Sequence, residues 1–128
     1  MKFMLLCYDD AEAWERAGAD ALREAMQEAV RLAHELHARG QYVMAAPLEP
    51  ASASRSVRVR GGRSHVTDGP FAEAREVLGG FYVIDVDSRE EAIAIAARHP
   101  GARVGTVEVR PLMEIEGLPG VPSSDPSA

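Results

Sequence analysis

Apolar residues recur along this chain with two different periods, and the switches between them divide it into elements. Lys2 to Tyr8 holds the unbroken apolar run Phe3-Met4-Leu5-Leu6-Cys7-Tyr8, closed by Asp9-Asp10, and reads as a buried central strand. Ala11 to Gly18 reads as a connection with one helical turn around Trp14. From Asp20 to Arg39 the period becomes helical, with Leu22, Met26, Ala29, Val30, Ala33, Leu36 and His37 on one face. Asp20 suits the N-cap, because its carboxylate can accept from free backbone N–H groups. Glu28 with Arg31 and Glu35 with Arg39 are spaced to pair along the helix. Gly40 suits the left-handed residue that ends it.

Gln41 to Leu48 is a second strand, closed by Pro47 and Pro50. Over Ser56 to Val66 the period is two: Val57 and Val59 alternate with Ser56, Arg58 and Arg60. Gly61-Gly62 supplies the tight turn of a hairpin. Asp68 to Val77 is a polar loop. Leu78 to Val86, with Phe81, Val83 and Ile84, is another central strand, and Gly79-Gly80 at its start predicts a bulge or a close backbone approach. Ser88-Arg89-Glu90-Glu91 is a capping box that opens a helix through Ala92, Ile93, Ile95, Ala96 and Ala97. That helix stops at His99-Pro100-Gly101, since proline disfavours helix in the residue before it. Thr106 to Met113 is the last strand. Residues 1–116 make one domain, and 117–128, rich in Gly, Pro and Ser, reads as a disordered tail.

The order is β-α-β-(hairpin)-β-α-β. Without the hairpin it is βαββαβ, the split pattern of a ferredoxin-like α+β fold. Both helices then cover one face of an antiparallel sheet. The other face would be an exposed apolar patch unless covered, and a second copy is the simplest cover. The expectation is a homodimer with two sheets face to face.

Charge and composition narrow the function classes. The net charge of -6 repels phosphate backbones and anionic membranes, which argues against direct nucleic-acid or membrane partners. An aromatic share of 5% offers little platform for stacking bases. Cys7 is the one cysteine, so no disulfide forms within the chain, and its apolar surroundings suit a buried small side chain better than a reactive thiol. The first apolar run is too short for a signal peptide, and no stretch approaches a membrane span. A cytoplasmic setting is expected. No phosphate loop, no dinucleotide fingerprint and no metal signature is present, so no cofactor is expected. His34 and His37 lie one turn apart on the first helix, a spacing that solvated histidines share with metal ligands.

Asp68-Gly69-Pro70-Phe71 has the chemistry of a turn: Asp bonds the backbone ahead, Gly accepts positive φ and Pro fixes its own. It reads either as a rigid corner with Phe71 as a core plug or as a corner holding the Asp68 carboxylate at a cleft. Val66-Thr67-Asp68-Gly69-Pro70-Phe71-Ala72-Glu73, then Leu78-Gly79-Gly80-Phe81-Tyr82, then Val107-Glu108-Val109-Arg110-Pro111-Leu112-Met113, resemble the YCII-related family in its DGPF branch, and Lys2-Phe3-Met4-Leu5-Leu6 matches as well. The resemblance covers Met1 to about Glu116. It implies a ferredoxin-like domain that dimerises as an α/β barrel. It also implies two functional classes. One is an enzyme using a His/Asp pair, for which the family has no established reaction. The other is a role in transcription initiation beside extracytoplasmic-function sigma factors.

The chain departs from the shorter members of that family. Those carry their histidine in the first helix and their aspartate in an Asp-Pro step after the second. Here the step is His99-Pro100, and the first-helix histidines are His34 and His37, late in the helix. A rearranged pair of His99 with Asp68 would suit general acid–base catalysis on a small molecule. The competing reading of His99 is a helix-end residue that favours the negative end of the dipole. Arg75 reads as solvated loop or as a carboxylate-binding group, and Tyr82 as a polar contact in the cleft. The candidate site is therefore Asp68 and His99 for catalysis, with Phe71, Arg75 and Tyr82 for binding.

Overall fold

A computed structural model describes residues 1–119; the tail expected over 117–128 lies, from residue 120 onward, outside the described residues. Six strands and four helices follow in the order β1 (Lys2–Asp10), α1 (Ala11–Ala17), α2 (Ala19–Ala38), β2 (Tyr42–Pro47), β3 (Arg55–Arg60), β4 (Arg63–Asp68), β5 (Glu76–Asp85), α3 (Arg89–Arg98), α4 (Gly101–Val104) and β6 (Thr106–Pro111). A single 3-10 turn, Ala51–Ala53, precedes β3. Four strands form an antiparallel sheet in the order β2-β5-β1-β6, while β3 and β4 pair only with each other. This mixed α+β arrangement is compatible with the expected ferredoxin-like fold, the two apolar runs lying at its centre as β1 and β5.

Alternation along β1 places Phe3, Leu5 and Cys7 on the helix-covered face, where they pack with Tyr82, Ile84, Leu32, Leu36, Ala92, Ile95 and Ala96. Met4, Leu6, Tyr8 and Phe81 fall on the opposite face and stay partly accessible.

Helix boundaries differ from expectation where the capping residue differs. Asp10 accepts from the Ala13 backbone N–H and caps a whole helix, α1, over the stretch expected to be mostly connection. Asp20 is not a cap: α2 starts at Ala19 after Gly18, and Asp20 pairs instead with Arg23 in the first turn. Gly40 takes the positive φ expected of it, 71°. On α2 the face turned to the sheet is Ala25, Leu32 and Leu36, whereas Leu22, Met26 and Val30 are exposed. The helix has two apolar stripes, and periodicity could not say which one the sheet would cover. Glu28 and Glu35 pair with Arg103 and Arg98 rather than along their own helix, so these ion pairs tie α2 to α3 and α4.

The capping box opens α3 as expected. Ser88 accepts from the Glu91 N–H, and the Glu91 carboxylate reaches back to the N–H of Asp87. The chain does not leave helix for good at His99-Pro100: after the break it makes one more turn, α4.

Candidate functional site

Gly79 is the extra residue of a bulge, since Cys7 pairs with Gly80 and Tyr8 with Leu78. Both consequences expected of Gly79-Gly80 are present. A Cβ on Gly80 would lie 3.1 Å from the Ala46 carbonyl oxygen, and one on Gly79 would lie 1.7 Å from Oδ2 of Asp9. The absent side chain at position 79 leaves the space that the Asp9 carboxylate occupies. Trp14, brought over by α1, favours the ionised form of that carboxylate. Partial burial nevertheless holds Asp9 above the ordinary carboxylate range.

Asp10, the next residue, behaves oppositely. It is buried, accepts from Ala13 N–H and takes Arg75 Nε at 3.2 Å, and these donors hold its pKa below the ordinary range. Arg75, expected to bind a carboxylate, is therefore brought to one from its own chain. Glu76 beside it accepts from the Thr106 hydroxyl at 3.0 Å, joining β5 to β6 at the same end of the sheet.

Deeper on the helix-covered face, Cys7 meets His99, with Sγ 3.9 Å from Nε2. The His99 ring stands edge-on to Tyr82 with centroids 5.3 Å apart. Its Nδ1 accepts from the Gly101 backbone N–H at 2.9 Å. That bond requires an unprotonated Nδ1, so the proton of the neutral ring sits on Nε2 and faces the sulfur. Burial pushes His99 below its ordinary pKa and the Cys7 thiol up to about 11, with the charge of Asp9 adding to the latter. Tyr82 is raised too, chiefly by burial, and its hydroxyl donates to the Ala29 carbonyl at 2.7 Å. At neutral pH the row of Cys7, His99 and Tyr82 is uncharged.

The five residues singled out in the sequence are thus scattered over two regions. His99 and Tyr82 come together, but on the helix side, where Tyr82 already has a partner for its hydroxyl. Asp68 ends β4 with its side chain 87% exposed and pairs with Arg55 at 3.0 Å, so it does not orient His99 within the chain. The Asp-Gly-Pro corner is a bend at the end of β4: Gly69 has φ 83°, and its N–H donates to the Ser54 carbonyl at 2.8 Å as the next step of the β3–β4 pairing. Phe71 is 76% exposed, which rules out the core plug. The carboxylate whose charge acts on His99 is Glu28 of α2, while that of Asp9 acts on Cys7. Asp9 and Asp10 read in sequence only as the polar end of a strand; the signal that could have found Asp9 was the Gly79-Gly80 pair, which marks a backbone that something approaches. Among the described residues, no group of three or more His, Cys, Asp or Glu is placed to hold a metal ion.

An antiparallel sheet with helices on one face makes this a mixed α+β protein, compatible with a ferredoxin-like fold, with a polar row at the bulged end of its central strands. The YCII-related domain model matches residues 1–116, and the chain belongs to that family. An uncharacterised protein of Rhizobium meliloti (strain 1021) is 33% identical over 114 residues, covering 88% of this chain and 92% of that protein. No helix of the described residues is long and apolar enough to cross a membrane.

Proposed function

We propose that this YCII-related protein binds a small molecule and exchanges a proton with it at Asp9, without metal or nucleotide cofactor, at the bulged end of the sheet. The Asp9–Asp10 pair carries the proposal. Two adjacent carboxylates occupy environments that move their pKa values in opposite directions, and such pairs divide acid and base roles at one site. Asp9 holds its proton to higher pH than an ordinary aspartate. Asp10 stays ionised and steadies Arg75, whose exposed guanidinium keeps donors for an anionic group of the ligand. His99 and Tyr82 act from beneath as positioning residues for β1. Homodimerisation through the open sheet face, in the manner of a dimeric α/β barrel, would enclose the exposed Asp68 and Phe71 at the rim.

A carboxyl-carbon NMR titration tests the acid–base role. The Asp9 midpoint is expected above the ordinary 3.8 and should return toward it in Gly79→Ala, where the new Cβ evicts the carboxylate. A ligand found by thermal-shift screening of metabolites should lose binding in Asp9→Asn and Arg75→Ala. An ordinary Asp9 midpoint, or ligand binding indifferent to both substitutions, sinks the proposal. A monodisperse monomer by light scattering at micromolar concentration would remove the homodimer.

One observation favours a second role, as a non-catalytic regulator contacting an extracytoplasmic-function sigma factor. Leu22, Met26 and Val30 form an exposed stripe along α2, the form in which helices enter grooves of partner proteins. Failure to co-purify with a sigma factor encoded beside it would count against this role.

A further inference from the structure

The β3–β4 hairpin has no ladder to the main sheet, and a lone two-stranded hairpin is marginal in water. Its cross-strand register sorts its side chains onto two faces. Val57, Val59 and Val66 share one face, with exposures of 63%, 58% and 62%. Arg58, Arg60 and Arg63 share the other, where Arg60 stands directly opposite Arg63, a repulsive pairing if nothing acidic lies nearby. Four arginines against one aspartate give residues 55–68 a charge of +3, with His65 neutral, in a chain of -6, which leaves -9 on the rest. The six-residue strands extend roughly 20 Å. One molecule thus carries a basic arm with a bare valine stripe and an acidic body with an open apolar sheet face.

We infer that the hairpin is an exchanged arm, which lays its valine stripe on the margin of the sheet of a second copy while its arginines meet that copy's acidic body. Each molecule gives an arm and receives one, so the contact closes on itself with two-fold symmetry. The inference rests on the homodimer proposed above and adds which segment holds it. The arm also carries Asp68 toward the partner, since the Arg55–Asp68 ion pair lies on the valine face at its base.

Sedimentation equilibrium of the full chain and of the triple variant Val57→Thr, Val59→Thr, Val66→Thr tests it. Threonine keeps the branched shape and the strand preference, and all three positions are exposed, so the fold should survive by circular dichroism. The dimer dissociation constant is expected to rise roughly tenfold or more in the variant, and to rise in the wild type as salt screens the arginines. Trypsin cleavage at Arg58, Arg60 and Arg63 should slow as protein concentration passes through the dissociation constant. A variant that dimerises like the wild type, with cleavage independent of concentration, overturns the arm and leaves the dimer standing. A wild-type monomer at tens of micromolar overturns both, and means that the stripe faces some other partner.

Discussion

Acidification should destabilise this protein through one imidazole, His99. The folded chain keeps that ring neutral: Nδ1 accepts from the N–H of buried Gly101, Nε2 faces the Cys7 sulfur, and burial lowers its pKa. In the unfolded chain the ring titrates near its ordinary 6.5. As pH falls below that value the unfolded state takes up a proton that the folded state refuses, so stability falls. The contribution is fully present above pH 6.5 and is lost as pH drops from there through the lower folded pKa. The steepest slope one site can give is about 1.4 kcal/mol per pH unit, and partial exposure of the ring keeps it below that ceiling. Once protonated, Nδ1 turns from acceptor to donor and opposes the Gly101 N–H, which opens the α3–α4 junction first.

Urea unfolding of wild type, His99→Asn and His99→Ala at several pH values from 8 to 5 measures this. Asparagine can present an acceptor near the position of Nδ1 and does not titrate, so its stability should fall less between pH 7 and 5 than that of the wild type. Alanine strands the Gly101 N–H and should cost about 1–3 kcal/mol at every pH. Parallel pH curves for wild type and His99→Asn would refute the reasoning, because the other carboxylates and histidines are common to both.

Two further outcomes follow from the packing. Ser88→Ala removes the acceptor for the Glu91 N–H and should cost about 1 kcal/mol by thermal or urea unfolding, with little change in ligand binding. Leu36→Ala empties a fully buried site between α2 and the sheet and should cost about 2–5 kcal/mol, whereas Met26→Ala, on the exposed stripe of the same helix, should cost far less in the monomer.

Much of the fold is legible in the pattern of the chain because period and punctuation are local. The unbroken run at Phe3–Tyr8 could only be a strand covered on at least one face. Ser88 with Glu91 marks a helix start, and Gly40 a helix end. The site was less legible. Asp68 and Phe71 stand out because their motif is distinctive, and the corner they form lies exposed at the base of a hairpin. Tyr82 and Phe81 alternate in any register, so the sequence could not say which ring would meet α2.

By itself the sequence determined the six strands, the two main helices, an order compatible with a ferredoxin-like fold, the family, and a bulge or close approach at Gly79 and Gly80, since each is encoded in residues a few positions apart. Only the tertiary structure decided what occupies the space that glycine leaves. Strands far apart in sequence had to pair, with a one-residue bulge, before Asp9 could lie over Gly79 beneath Trp14, before Arg75 could reach Asp10, and before His99 could turn its proton toward Cys7. Electrostatic environment depends on distance and burial, and those exist only once remote segments have met.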